Sequence, residues 1–124
     1  MVVNEVGEII LVRHKYGEGL FLPGGKVRKN EKDEDALRRE LKEEIGLEIN
    51  GLVEKFGEYQ NNYEYKKDTI IIFVVKSFNI SPKYHFEIDE WKFVNPKDLP
   101  RGTSPGTRRR IGEWLNQRPI SGQW

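Results

Sequence analysis

A mixed β-sheet carrying two helices, an α/β sandwich, is the fold the sequence predicts. Three observations lead there. Short apolar runs of strand length recur between polar turns. The stretch Asp33 to Ile45 places Leu37, Leu41 and Ile45 at helical spacing. A second stretch, opened by Ser104-Pro105, does the same with Ile111, Trp114 and Leu115.

Taken in order, Glu8 to Val12 (EIILV) reads as a strand and Leu20 to Leu22 as a short second one, ended by Pro23. Gly24 and Gly25 open a polar loop that runs through Lys32. The first helix follows, with Gly46 where a left-handed C-terminal cap is expected. Leu52 to Tyr59 and Asp68 to Phe78 read as strands around the polar turn Gln60 to Lys67. The second contains TIIIFVV, a continuous apolar run that predicts burial on both faces. Trp91 to Val94 is a further strand, and Ser104-Pro105 supplies a capping residue and a first-turn proline for the last helix.

The chain has 124 residues, enough to bury a core as one domain over residues 1–124. It contains no cysteine, which excludes disulfides and thiolate metal sites. Charge is balanced, 21 Lys plus Arg against 20 Asp plus Glu, where a dedicated nucleic-acid binder is usually strongly basic. The longest apolar run, Ile70 to Val75, is far too short to span a membrane. These features point to a cytoplasmic protein without nucleic-acid or membrane partners.

The first helix poses a chemical question. Glu34 precedes Arg38 and Asp35 precedes Arg39 by four residues, the favourable order for pairing across one turn. Yet Glu40, Glu43 and Glu44 follow at once, and like charges three and four apart repel. At about 100° per residue these carboxylates share an arc beside the Leu37/Leu41/Ile45 stripe, at the edge of the buried face. A cation between them removes the conflict, and Mg²⁺ is held by a few carboxylates together with water and substrate phosphates. A solvated Glu-rich helix end is the bland alternative. The Gly24-Gly25 loop favours the first reading, because glycine lets main-chain groups approach a phosphate closely. A phosphate-binding P-loop does not fit: Gly25 stands where that motif needs Lys.

Together these residues resemble the Nudix box, which reads Gly, five residues, Glu, seven residues, Arg-Glu, an aliphatic, any residue, Glu-Glu, any residue, Gly, an aliphatic. Gly25, Glu31, Arg39-Glu40-Leu41, Glu43-Glu44 and Gly46-Leu47 fill all nine defined positions over 23 residues. EIILVRHKYGEGLFLPGG and EIDEWKFVNPKDLP look like the family segments on either side. The resemblance implies a Nudix-type α/β/α sandwich. It also implies a Mg²⁺- or Mn²⁺-dependent pyrophosphohydrolase acting on a nucleoside diphosphate linked to another group. Glu40 and Glu44 would then be the main metal ligands, with Glu43 beside them and the Gly24 carbonyl completing the site. Glu31 and Arg39 would brace the loop from one layer further out.

The resemblance leaves the general base open between a box glutamate, such as Glu40 or Glu43, and one from a later loop, where Glu87 lies at the expected place and Glu90 is the alternative. Lys26 and Arg28 are candidates for phosphate oxygens. Tyr16, Tyr59 and Tyr63 are candidates for stacking on a base, with burial the default for any one. His14 and His85 lack metal-pair spacing. Within the family a tyrosine past the box accompanies dinucleoside polyphosphate enzymes and a proline accompanies ADP-ribose enzymes. Tyr63 lies sixteen residues beyond Leu47, with no proline between Pro23 and Pro82. A nucleotide or dinucleoside polyphosphate is therefore expected over ADP-ribose or a nucleotide sugar. Arg108-Arg109-Arg110 reads as a solvated helix face before an RNA contact. An RNA-associated protein and a non-catalytic nucleotide-binding module remain the readings of another class, and a homodimer is one of the assemblies left open.

Overall fold

The computed structural model describes residues 1–15, 17–63, 66–81 and 88–124. Tyr16, His85 and Glu87 lie outside the described residues. The elements are β1 (Ile9–His14), α1 (Asp33–Ile45), β2 (Leu47–Ile49), β3 (Glu54–Tyr63), β4 (Lys66–Val74), β5 (Phe78–Ile80), β6 (Ile88–Val94) and α2 (Pro105–Leu115). Among the described residues no helix is long and apolar enough to cross a membrane.

β1 is the centre of the sandwich. Ile9, Ile10, Leu11 and Val12 are all fully buried, and strand alternation sends them to opposite faces. Ile9 and Leu11 pack with Tyr59, Ile72, Val74 and Ile111 of α2. Ile10 and Val12 pack with Val75, Leu47 and, on α1, Leu41 and Ile45. One helix therefore covers each face, giving the α/β/α layering. β6 pairs antiparallel with β1 from Ile9↔Val94 to His14↔Ile88. On the other side Val2 bridges Val75 in parallel, with the Val3 amide donating to the Val75 carbonyl at 2.8 Å, so the sheet is mixed.

α1 keeps its expected bounds, and Gly46 adopts φ 66° with its amide returned to the Lys42 carbonyl. α2 is capped by Ser104, whose hydroxyl accepts from the Thr107 amide at 3.3 Å. Ile111 is fully buried beneath it, while Trp114 and Leu115 are partly exposed.

Three strand expectations are corrected. The turn placed at Gln60 to Lys67 is mostly ladder, because β3 and β4 pair from Glu54↔Val74 out to Tyr63↔Lys66. Polar residues suffice there, since the main chain makes the ladder bonds. The run Asp68 to Phe78 divides: β4 stops at Val74, and Phe78–Ile80 crosses to pair with β2. TIIIFVV is not buried on both faces either. Ile72, Val74 and Val75 are buried, but Ile70, Ile71 and Phe73 are only partly so. This stretch borders an open cleft, and the doubly buried strand is β1.

Candidate active site

The two loop glycines are needed for different reasons. Gly24 sits at φ 146°, in the region that disfavours a side chain. Gly25 matters for space, because a Cβ there would collide with the Glu40 carboxylate. The loop main chain thus lies against the end of the Glu40 side chain. Any side chain at position 25 would displace Glu40.

The three glutamates do not share one environment. Glu44 is buried, the Glu40 side chain is 19% exposed, and Glu43 is 53% exposed. The expected place at the edge of the buried face therefore holds for Glu40 and Glu44, while Glu43 faces solvent. Successive 100° steps carry Glu43 around to the solvent side while Glu40 and Glu44, four apart, stay together.

Arg39 joins the box. Its Nε and Nη2 donate to Glu31 at 2.8 and 3.0 Å, and Nη2 also reaches the Lys26 carbonyl at 3.0 Å. Its Nη1 donates to Glu40 at 2.6 Å and to Glu43 at 3.3 Å. The expected Asp35–Arg39 pair is not made, since the guanidinium is spent on these groups; Glu34–Arg38 does form, at 3.9 Å. The Arg39 hydrogen bonds and the Arg28 amide, 2.9 Å away, hold the Glu31 carboxyl down to about 2, from an ordinary value near 4.5. The same pairing pushes the Arg39 guanidinium up.

A cleft of about 630 Å³ borders the loop and the first turns of α1. Gly24, Gly25 and Lys26 form its lip, and Ile71, Phe73 and Trp124 lie among its walls. Gly25 therefore touches both the cleft and the Glu40 carboxylate. Arg28 is exposed and lies 3.9 Å from Glu43.

The local geometry and the box spacing now stand beside a direct match: the family model of the NUDIX domain covers residues 1–115. The chain belongs to the Nudix hydrolase family. An 8-oxo-dGTP diphosphatase of Haemophilus influenzae is 31% identical over 115 residues, covering 90% of this chain and 83% of that protein. The mRNA-decapping enzyme subunit 2 of Saccharomyces cerevisiae is 33% identical over 103 residues. That alignment takes in 81% of this chain, which spans only 11% of the decapping subunit's length. Among solved structures, a MutT NUDIX hydrolase from Burkholderia pseudomallei superposes with TM-score 0.76 at 21% identity, covering 90% of this chain and 93% of that one. The E. coli ORF135 protein gives 0.77 at 22%, covering 94% and 86%. At such identities the likeness speaks to the fold.

Within this Nudix chain the donor chemistry suits a hard divalent cation. The available ligands are carboxylate and main-chain oxygens, and the missing Cβ at Gly25 is what lets the Glu40 carboxylate lie against the loop. No trio of His, Asp or Glu converges as a metal cage among the described residues. A cation taking two carboxylates and filling its shell with water and substrate phosphate is the Mg²⁺ habit.

The remaining candidates are placed as follows. Glu90 pairs with Arg13 at 3.3 Å across the β1–β6 ladder. Tyr63 ends β3 opposite Lys66. Tyr59 is fully buried under Arg110, 4.4 Å from its ring centroid, so it cannot stack on a ligand; burial, with the nearby Glu113 carboxylate, pushes its hydroxyl up to about 12. The arginine triplet is not a uniform solvated face. Arg110 is buried, Arg109 donates to the Trp124 carbonyl, and Arg108 donates to the Pro100 carbonyl. Sequence reasoning missed Trp124 as a cleft residue, since nothing local to its segment signals that it lines the cleft.

The Glu31 bonds have a pH consequence. A carboxyl lowered in the fold contributes stability that is complete above its unfolded value, near pH 4.5, and is lost as pH falls toward 2. Urea unfolding of wild type and Glu31→Gln should show a wild-type advantage at pH 6 that shrinks between pH 4.5 and 2. A pH-independent difference would contradict this origin.

Proposed function

We propose that this chain hydrolyses the pyrophosphate linkage of a nucleoside polyphosphate with Mg²⁺ or Mn²⁺ held by Glu40 and Glu44, Glu43 beside them and the Gly24 carbonyl adding a ligand. The observation that carries this is the contact between Gly25 and Glu40. It brings the Glu40 carboxylate against a glycine that also lines a cleft large enough for a nucleotide, which supports the reading. The bound cation neutralises charge on the pyrophosphate and lowers the pKa of the attacking water. Arg39 and Glu31 hold the loop against α1, fixing where Glu40 and the loop main chain stand relative to the phosphates. Lys26, at the lip, and the exposed Arg28 supply positive charge for phosphate oxygens. In the reaction a water oxygen bonds to the α- or β-phosphorus, the P–O bond bridging the two breaks, pyrophosphate or the nucleoside monophosphate departs, and the water proton passes to a base.

For that base we retain Glu87 over Glu90, which Arg13 engages, and over the box carboxylates Glu40 and Glu43. Glu87→Gln should lower kcat strongly and change KM little. Activity near wild type in that variant returns the role to Glu90 or to the box.

A nucleoside triphosphate is favoured over ADP-ribose and nucleotide sugars. The supporting observation is the 31% identity to proteins named as 8-oxo-dGTP diphosphatases over 90% and 94% of this chain, while Tyr63 past the box speaks for a dinucleoside polyphosphate over ADP-ribose. A cytoplasmic location suits such a substrate. A second reading, a 5′-terminal RNA pyrophosphate, draws on the relatives named as a decapping subunit and as an RNA pyrophosphohydrolase. Comparing kcat/KM for dGTP, diadenosine tetraphosphate, ADP-ribose and a 5′-triphosphorylated RNA, with products identified, separates them. Preference for ADP-ribose by tenfold or more overturns the nucleotide reading, and preference for the RNA replaces it.

A further inference from the structure

We propose that Trp124 forms a wall of the nucleobase subsite, a role that rests on the pyrophosphohydrolase reading above. One cleft is lined both by Gly24, Gly25 and Lys26, where the phosphates belong, and by Ile71, Phe73 and Trp124. A flat apolar ligand end is matched by flat apolar walls, and a base stacking on an aromatic ring is the common solution for binding that tolerates any base.

The indole is held from behind by contacts that no other cleft aromatic shares. Residues 118–124 fold back along β3, with the Gln60 amide donating to the Gly122 carbonyl at 2.8 Å and the Trp124 amide to the Gln60 carbonyl at 2.9 Å. Arg109 and Arg110 donate to the Trp124 carbonyl at 2.5 and 3.1 Å, and Arg110 also donates to the Gln123 carbonyl. The Arg110 guanidinium lies 5.4 Å from the indole centroid, and Tyr59 meets the ring edge-on at 6.0 Å. Gly106 lets the indole settle directly on α2, where a Cβ would strike its pyrrole nitrogen. The ring is thus fixed before a ligand arrives, which reduces the entropy lost on binding. Tyr59, one of the three tyrosines the sequence offers for stacking, acts as its backing. Arg110 is a positioning residue for the wall.

The test is calorimetric binding of guanosine 5′-monophosphate and of ribose 5-phosphate, which lacks the base, to wild type, Trp124→Leu and Trp124→Phe. The expected result is about tenfold weaker nucleotide binding by Trp124→Leu, with ribose 5-phosphate changed less than twofold and Trp124→Phe recovering most of the loss. Equal weakening of both ligands, unchanged nucleotide affinity, or no nucleotide binding by wild type overturns the proposal. If Trp124→Leu melts below the assay temperature, Trp124→Met, which keeps bulk without a ring, decides: about tenfold weaker nucleotide binding with ribose 5-phosphate changed less than twofold supports the wall, and any other pattern overturns it. Binding is read without turnover, so a chain that binds the nucleotide in this pattern yet hydrolyses nothing refutes the hydrolase reading and not this one.

Discussion

Glu44→Gln and Glu40→Gln should each reduce hydrolysis by more than roughly a hundredfold, the upper end of what losing a group one layer outside a metal's ligands costs. Both variants should fold. Glutamine keeps the volume, and at position 40 its amide oxygen still accepts from Arg39, while one like charge is removed from the 40/43/44 row. The cause is read from thermal melts with and without Mg²⁺. Wild type should gain stability from the ion by mass action and both variants much less. An equal gain in all three proteins would place the cation elsewhere, whatever their activity.

The second large effect is on stability. Arg110 is buried, its Nε lies 2.9 Å from Glu113, and its guanidinium is over Tyr59. Arg110→Ala leaves the Glu113 carboxylate buried without its counter-charge and removes the support of residues 121–124, so a loss of about 3–5 kcal/mol is expected. Urea unfolding should show a lower midpoint at unchanged slope. Arg108→Ala, two residues away but exposed, should cost less than about 1 kcal/mol. Replacing both partners, Arg110→Met with Glu113→Leu, should recover much of the loss, because no lone charge is then left inside. If Arg110→Ala and Arg108→Ala cost the same, the cluster is not a stabilising unit.

What could be read in advance follows the range of the signal. α1 was legible to the residue because its apolar stripe and its glycine cap are neighbours in sequence. The box was legible for the same reason, its spacing lying on one loop and one helix. β2 and β5 were not, since a three-residue edge strand carries too few side chains to show an alternation. The arginine triplet shows the limit most clearly. Nothing within Arg108-Arg109-Arg110 says which guanidinium turns inward; Tyr59 and Trp124, distant in the chain, decide it. Arg39 shows a subtler one. Helical spacing alone turns Glu43 away from the apolar stripe, but the diversion of Arg39 from Asp35 depends on the loop that folds over it. The cleft has no local signature at all, because its lip, its strand wall and Trp124 come from three separate parts of the chain.

The central claim, cation-dependent attack of water on a pyrophosphate, is tested most directly by turnover of dGTP in ¹⁸O-labelled water with Mg²⁺ and again with excess chelator. The account predicts deoxyguanosine monophosphate and pyrophosphate, one ¹⁸O atom in one of the two, and no turnover with chelator. Release of inorganic phosphate with deoxyguanosine diphosphate, or unchanged turnover after chelation, would contradict it.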